Sequence, residues 1–132
     1  MTFRELVESV RATGQYATAA EAERTIRIVL SALGGHLVGD ERDELAQRLP
    51  TEAARLLTEQ LPVTRPLTAG EFVDNVATRI EGATPATARW DVSSVLSSLA
   101  EELDTGLLDR ILHRLPPGYA LLFGRAELTP TA

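Results

Sequence analysis

The chain contains no cysteine. That excludes disulfides, thiolate metal sites, iron–sulfur clusters and cysteine nucleophiles together, and it fits a reducing compartment. Lysine is missing as well: all 13 basic residues are Arg. A lysine Schiff base and the usual phosphate-loop lysine are therefore excluded. Arg, Ala and Leu in place of Lys, Asn and Ile fit a GC-rich bacterial genome. Aromatic residues make up only 5%, so an aliphatic core of Leu, Val, Ile and Ala is expected. No apolar run approaches a membrane span, and no basic segment precedes an apolar stretch. We therefore expect a soluble, cytoplasmic chain whose mature form starts at Met1. Basic blocks are absent too. With a formal net charge of −6, the chain is a poor match for a nucleic-acid backbone, and no nucleic-acid partner is expected.

What is present is ordinary for a globular protein: 132 residues, 44% hydrophobic and 24% charged. A chain of this length buries enough surface to fold without staples. Its organising feature is a stretch that occurs twice. Val29-Leu30-Ser31-Ala32-Leu33-Gly34-Gly35-His36-Leu37 returns as Val95-Leu96-Ser97-Ser98-Leu99-Ala100-Glu101-Glu102-Leu103, at an offset of 66 positions.

Helix signals follow in order along the chain. Thr2-Phe3-Arg4-Glu5 is a capping box, and Phe3, Leu6, Val7 and Val10 follow at helical spacing up to a stop at Gly14. Thr18 to Glu21 forms a second box. Ala22, Ile26, Val29, Leu30, Leu33 and Leu37 then make one apolar stripe, which Gly34-Gly35 should weaken or end. Asp40 is the expected N-cap of a third helix, with Glu41 and Asp43 facing its positive end and Leu45 and Leu49 inward. Pro50 ends that helix and opens a fourth, from Thr51 to about Glu59. Pro62 and Pro66 stiffen a linker over 61–67.

The second half then restates the first. Thr68 to Glu71 matches Thr2 to Glu5, and Thr84-Pro85 matches Thr18-Ala19. The stripe recurs as Ala88, Val92, Val95, Leu96, Leu99 and Leu103, and Arg114-Leu115-Pro116 matches Arg48-Leu49-Pro50. Four short helices per copy predict an all-α fold of about eight helices and no sheet. The expected organisation is a first helical repeat over 1–60, the linker, a second repeat over 68–126 and a frayed tail over 127–132. Each half alone would expose its stripe, so the two are expected to share one core about a pseudo-two-fold axis.

Few residues invite chemistry. His36 and His113 have no counterpart in the other copy. Asp109 and His113 stand four apart, but two ligands do not make a metal site, and no metal or cofactor is expected. The serines of the long helices lack a G-x-S-x-G elbow and read as small residues that let helices approach. The acidic clusters Asp40-Glu41 with Asp43-Glu44, and Glu101-Glu102 with Asp104, read as solvated helix ends. Arg48 and Arg114 are equivalent by the repeat and precede helix breaks. They either cap carbonyls or form an anion-binding pair near the pseudo-two-fold axis. Trp90, the only tryptophan, stands where the first copy has Arg24 and lies just off the stripe. It is a candidate interface anchor or a cover for the core edge.

The blocks Phe3…Val7…Val10, Ala20 to Thr25, Val29 to Leu33 and Leu49-Pro50 resemble the bacterial DUF2267 family, over the whole chain. The resemblance implies an all-helical, commonly duplicated fold and brings no established reaction. The second copy departs from it at Arg89-Trp90-Asp91, where the first has Glu23-Arg24-Thr25. The expected function is a non-enzymatic helical module that binds a protein partner or itself. The alternative is a carrier or sensor of an anionic or acyl small molecule in a pocket between the repeats.

Overall fold

The structure is a computed structural model and describes residues 1–37 and 39–125. Among the described residues the chain is all-α, with eight helices and no strand: α1 (Phe3–Gly14), α2 (Ala19–Gly34), α3 (Asp40–Arg48), α4 (Thr51–Thr58), α5 (Ala69–Arg79), α6 (Pro85–Glu101), α7 (Thr105–Arg114) and α8 (Tyr119–Leu122). The tail expected over 127–132 lies outside the described residues, as does the last position of the expected second repeat. No helix among those described is long and apolar enough to cross a membrane.

The helix starts follow from local chemistry. Thr2 and Thr68 each cap the backbone N–H three residues on, and Glu5 and Glu71 return the bond to the cap's own N–H. Those bonds hold both carboxyls below the usual carboxylate range. Thr18 and Thr84 cap α2 and α6, with Pro85 in the first turn of α6. Asp104 caps α7 through the N–H of Leu107 at 2.7 Å. Asp40 does not cap α3. It is already helical, and the cap position is Gly39, whose φ of 71° suits glycine and which has no side chain to offer. Pro50 likewise sits one place outside α4, at the cap.

Two glycines that sequence reading treats as helix breakers are sites of close approach. A Cβ on Gly34 would lie 2.4 Å from the carbonyl oxygen of Leu57 and 2.9 Å from its Cα, so α4 crosses the end of α2 at backbone distance. A Cβ on Gly14 would lie 2.3 Å from the Tyr16 ring and 2.9 Å from the Ser94 hydroxyl, which brings the end of α1 against α6. The left-handed residue that closes α1 is Gln15, at φ 56°.

Packing is reciprocal between the two parts of the chain. Helix α1 packs on α2 and α6, and α5 packs on α6 and α2. Helices α2 and α6 touch each other, and α3 meets α7. The core is one continuous cluster that takes Leu6, Ile26, Leu30 and Leu33 from one side and Phe72, Val92, Leu96 and Leu99 from the other. It is not wholly aliphatic. Phe72, Tyr119 and Phe123 are among its largest fully buried residues. Phe72 meets His36 and Tyr119 edge-on, with ring centroids 5.4 and 5.5 Å apart. The Tyr119 hydroxyl leaves this cluster to donate to the Leu67 carbonyl at 2.9 Å, fixing the end of the linker. Ser94 and Ser98 are buried in α6 and donate to the carbonyls four residues back.

Candidate functional site

Arg48 and Arg114 stand in the last turns of α3 and α7. Each faces a carboxylate at the start of the other helix. Arg48 reaches Asp104 at 3.4 Å, and the Nε of Arg114 reaches Glu41 at 3.3 Å. Helices α3 and α7 therefore run antiparallel, and the two arginines lie at opposite ends of the pair. The ends of one 9-residue helix are separated by roughly 13 Å at 1.5 Å per residue. In the middle, Glu44 accepts two bonds of 2.7 Å from Arg110. Both arginines are solvated, with side chains 52% and 60% exposed, whereas the Glu41 side chain is only 10% exposed. Arg114 also lines a small cleft of about 190 Å³ with His36, Val63 and Pro66, between the end of α2, the linker and the end of α7.

The histidines hold carbonyls. His36 Nδ1 is 3.0 Å from the Ala32 oxygen, and His113 Nδ1 is 2.7 Å from the backbone oxygen of Asp109 rather than its carboxylate. Among the described residues no three His, Asp or Glu side chains cluster as a metal would require.

Trp90 is 52% exposed. Its indole Nε1 donates to the carbonyl of Gly14 at 2.9 Å, so the ring is fixed across the junction of α6 with the end of α1. Beside it, the Tyr16 hydroxyl donates to Asp91 at 2.6 Å. Burial, and then the Asp91 carboxylate, push the Tyr16 hydroxyl far above its ordinary value. Burial also raises the Asp91 carboxyl, against the lowering effect of the Tyr16 bond.

A larger groove, of about 470 Å³, opens between the start of α2 and the end of α5. Tyr16, Ile28 and Ile80 supply its apolar surface with Thr25 beside them, Glu21, Arg24, Arg79 and Glu81 supply its charge, and the lining is more polar than apolar. Arg24, Arg79, Glu21 and Glu81 are exposed. The groove thus joins two arginines from distant parts of the chain at one place, which Arg48 and Arg114 do not do. Sequence reading missed it. Its one sequence signal is the exchange of Arg24 for Trp90 at matching positions. Arg79 carries no signal, because its place is set by how α5 ends against α2.

The positions 66 residues from the groove residues are also gathered together. Those of Arg24 and Ile80 are Trp90 and Gly14, which share the indole bond. Those of Thr25 and Ile28 are Asp91 and Ser94, next to them on α6. One junction is covered by an indole, and the other is an open groove.

A sequence model of the family described as "Uncharacterized conserved protein (DUF2267)" matches residues 3–122. No curated protein matches the chain.

Proposed function

Because the chain belongs to the DUF2267 family, whose description carries no activity, we propose a function from its geometry. It is a non-enzymatic binding module, built by duplication of one helical unit, that recognises a small ligand in the groove between α2 and α5. The observation that carries this reading is the asymmetry of the two junctions. Trp90 lies across one, while the other leaves two arginines and two glutamates around an open groove with Ile28 and Ile80. Charged groups of both signs that converge in one concavity beside apolar side chains support a small-ligand site there. The hydroxyl–carboxylate pair beside the groove, Tyr16 with Asp91, makes a poor nucleophile, because burial and the carboxylate push the phenol far above its ordinary value. The Tyr16 hydroxyl is committed to Asp91, and a base or nucleophile must be within reach of the reacting atom. The proposal places the protein in a bacterial cytoplasm.

The test is a library of small metabolites read by ¹H–¹⁵N NMR on the full chain. Saturable shifts confined to the amides of Arg24, Ile28, Arg79 and Ile80 support the reading. A library without any compound that moves them overturns it.

A second reading, docking of a protein partner or a second copy, draws on Trp90. A half-exposed tryptophan whose orientation is fixed by a hydrogen bond is the type of residue that anchors interfaces. Light scattering behind gel filtration decides it: self-association that Trp90→Ala abolishes favours it, and a monomer at all concentrations removes the self-associating form.

A further inference from the structure

Resting on the ligand-binding reading above, we propose that the groove between α2 and α5 takes an aromatic α-amino acid, with its ring against Tyr16, Ile28 and Ile80 and its two charges on the arginines and glutamates. A template for the ligand's shape lies inside the molecule. At the matching junction between α6 and the end of α1, the residue in Arg24's place is Trp90, and the residue in Ile80's place is Gly14. There an indole lies across the junction, its N–H on the Gly14 carbonyl at 2.9 Å. Where the first half carries Arg24 instead, that position supplies no ring, and about 470 Å³ stays open beside Tyr16. A half-exposed indole lies across one junction, and the matching position of the other carries none. Tyr16, Ile28 and Ile80 are the surfaces a ligand's ring would meet, and the Arg24 guanidinium is suited to lie over its face.

The charges around the groove select among ring-bearing ligands. The groove is lined by two arginines and two glutamates, and none of the four makes an ion pair among the described residues. A simple anion would meet Glu21 and Glu81 on a protein of net charge −6. A simple cation would meet Arg24 and Arg79. A zwitterion satisfies both signs, its carboxylate on a guanidinium and its ammonium on a carboxylate. Thr25 adds no free donor, because its hydroxyl donates to the Glu21 carbonyl at 3.0 Å.

The experiment titrates the full chain with L-tryptophan, followed by ¹H–¹⁵N NMR and calorimetry. Saturable shifts are expected at Tyr16, Arg24, Ile28, Arg79 and Ile80. Indole-3-propionate lacks the ammonium and tryptamine lacks the carboxylate, and each should bind at least about tenfold more weakly, the loss of one charge-assisted contact. L-Alanine, with both charges and no ring, should not shift these amides. Arg79→Gln should weaken L-tryptophan by about tenfold. Arg24→Trp, which gives the first half the residue of the second, should abolish binding with the helical spectrum unchanged. If that variant does not fold, Arg24→Gln combined with Arg79→Gln takes its place with the same expectation.

Equal binding of L-tryptophan and indole-3-propionate overturns the zwitterion assignment, and L-tryptophan that moves no groove amide at millimolar concentration overturns the proposal outright. If another compound moves those amides where L-tryptophan does not, this inference fails and the ligand-binding reading stands. If nothing moves them, both fail.

Discussion

Glu44 and Arg110 stand 66 positions apart and meet through two hydrogen bonds of 2.7 Å. They occupy the same place in the two copies read from the sequence. In an assembly of two identical units, residues that meet at a two-fold axis are alike, and two glutamates or two arginines there would repel. A single chain is free to hold opposite charges at two such positions, as Glu44 and Arg110 do.

The pair makes its own prediction. Arg110 beside Glu44 holds the carboxyl below its ordinary 4.5. A carboxyl lowered in the folded state contributes stability above its ordinary value and loses it as pH falls through the lowered one. Glu44→Arg and Arg110→Glu should each lower the melting temperature at pH 7, and the double swap should restore it. Thermal melts of the four proteins at pH 7 and pH 3 check this, with the differences shrinking at pH 3. A double swap no better than either single change would remove the pair from the account of α3–α7 docking.

Arg48 and Arg114 should differ when truncated. Arg48→Ala removes a solvated pair with Asp104, at a cost of under about 1 kcal/mol. Arg114→Ala leaves the buried Glu41 without its partner, and a stranded buried polar group costs about 1–3 kcal/mol. Urea unfolding measures both. Equal costs would mean that Glu41 finds water once Arg114 is gone.

Glycine substitutions should go in opposite directions. Gly34→Ala places a Cβ against the Leu57 backbone and should destabilise by about 1–3 kcal/mol, as overpacking does. Gly70→Ala, in the first turn of α5 with nothing within 4 Å, should stabilise by about 0.4–1 kcal/mol through the unfolded chain. Chemical denaturation midpoints decide both signs.

Asp91→Asn should flatten the pH profile. Burial raises the Asp91 carboxyl. A carboxyl raised in the folded state favours folding below its unfolded value and loses that contribution as pH rises through the raised one. The asparagine oxygen still accepts from the Tyr16 hydroxyl. The stability of Asp91→Asn relative to the natural chain should therefore increase from pH 3 to pH 7. A constant difference across that range would show that Asp91 is not the group responsible.

The helix starts at Thr2, Thr18, Thr68 and Thr84 and the two apolar stripes were legible because they are written within a few residues of each other. Asp40 misled because capping chemistry alone ignores the turn before it, where Gly39 at φ 71° admits the chain one residue early. Gly14 and Gly34 were seen as breaks, but their reason lies in partners elsewhere, Ser94 and Leu57. The open groove was hidden for the same reason. Arg24 and Arg79 share no local pattern, and only the docking of α5 on α2 makes them neighbours. Trp90 is visible in the sequence as the exchange for Arg24 just off the second stripe. Its bond to Gly14, 76 residues away in the chain, is not.

The crossed packing, α1 on α6 and α5 on α2, has a consequence for how the protein comes apart. The exposed stretch over 61–66 carries none of the core. A cut there leaves two fragments, each holding the helix that its companion needs. Fragments 1–63 and 64–132, made from separate genes, should find each other and regain the helical spectrum that neither has alone. The continuous chain then serves mainly as a tether that keeps the two at high mutual concentration.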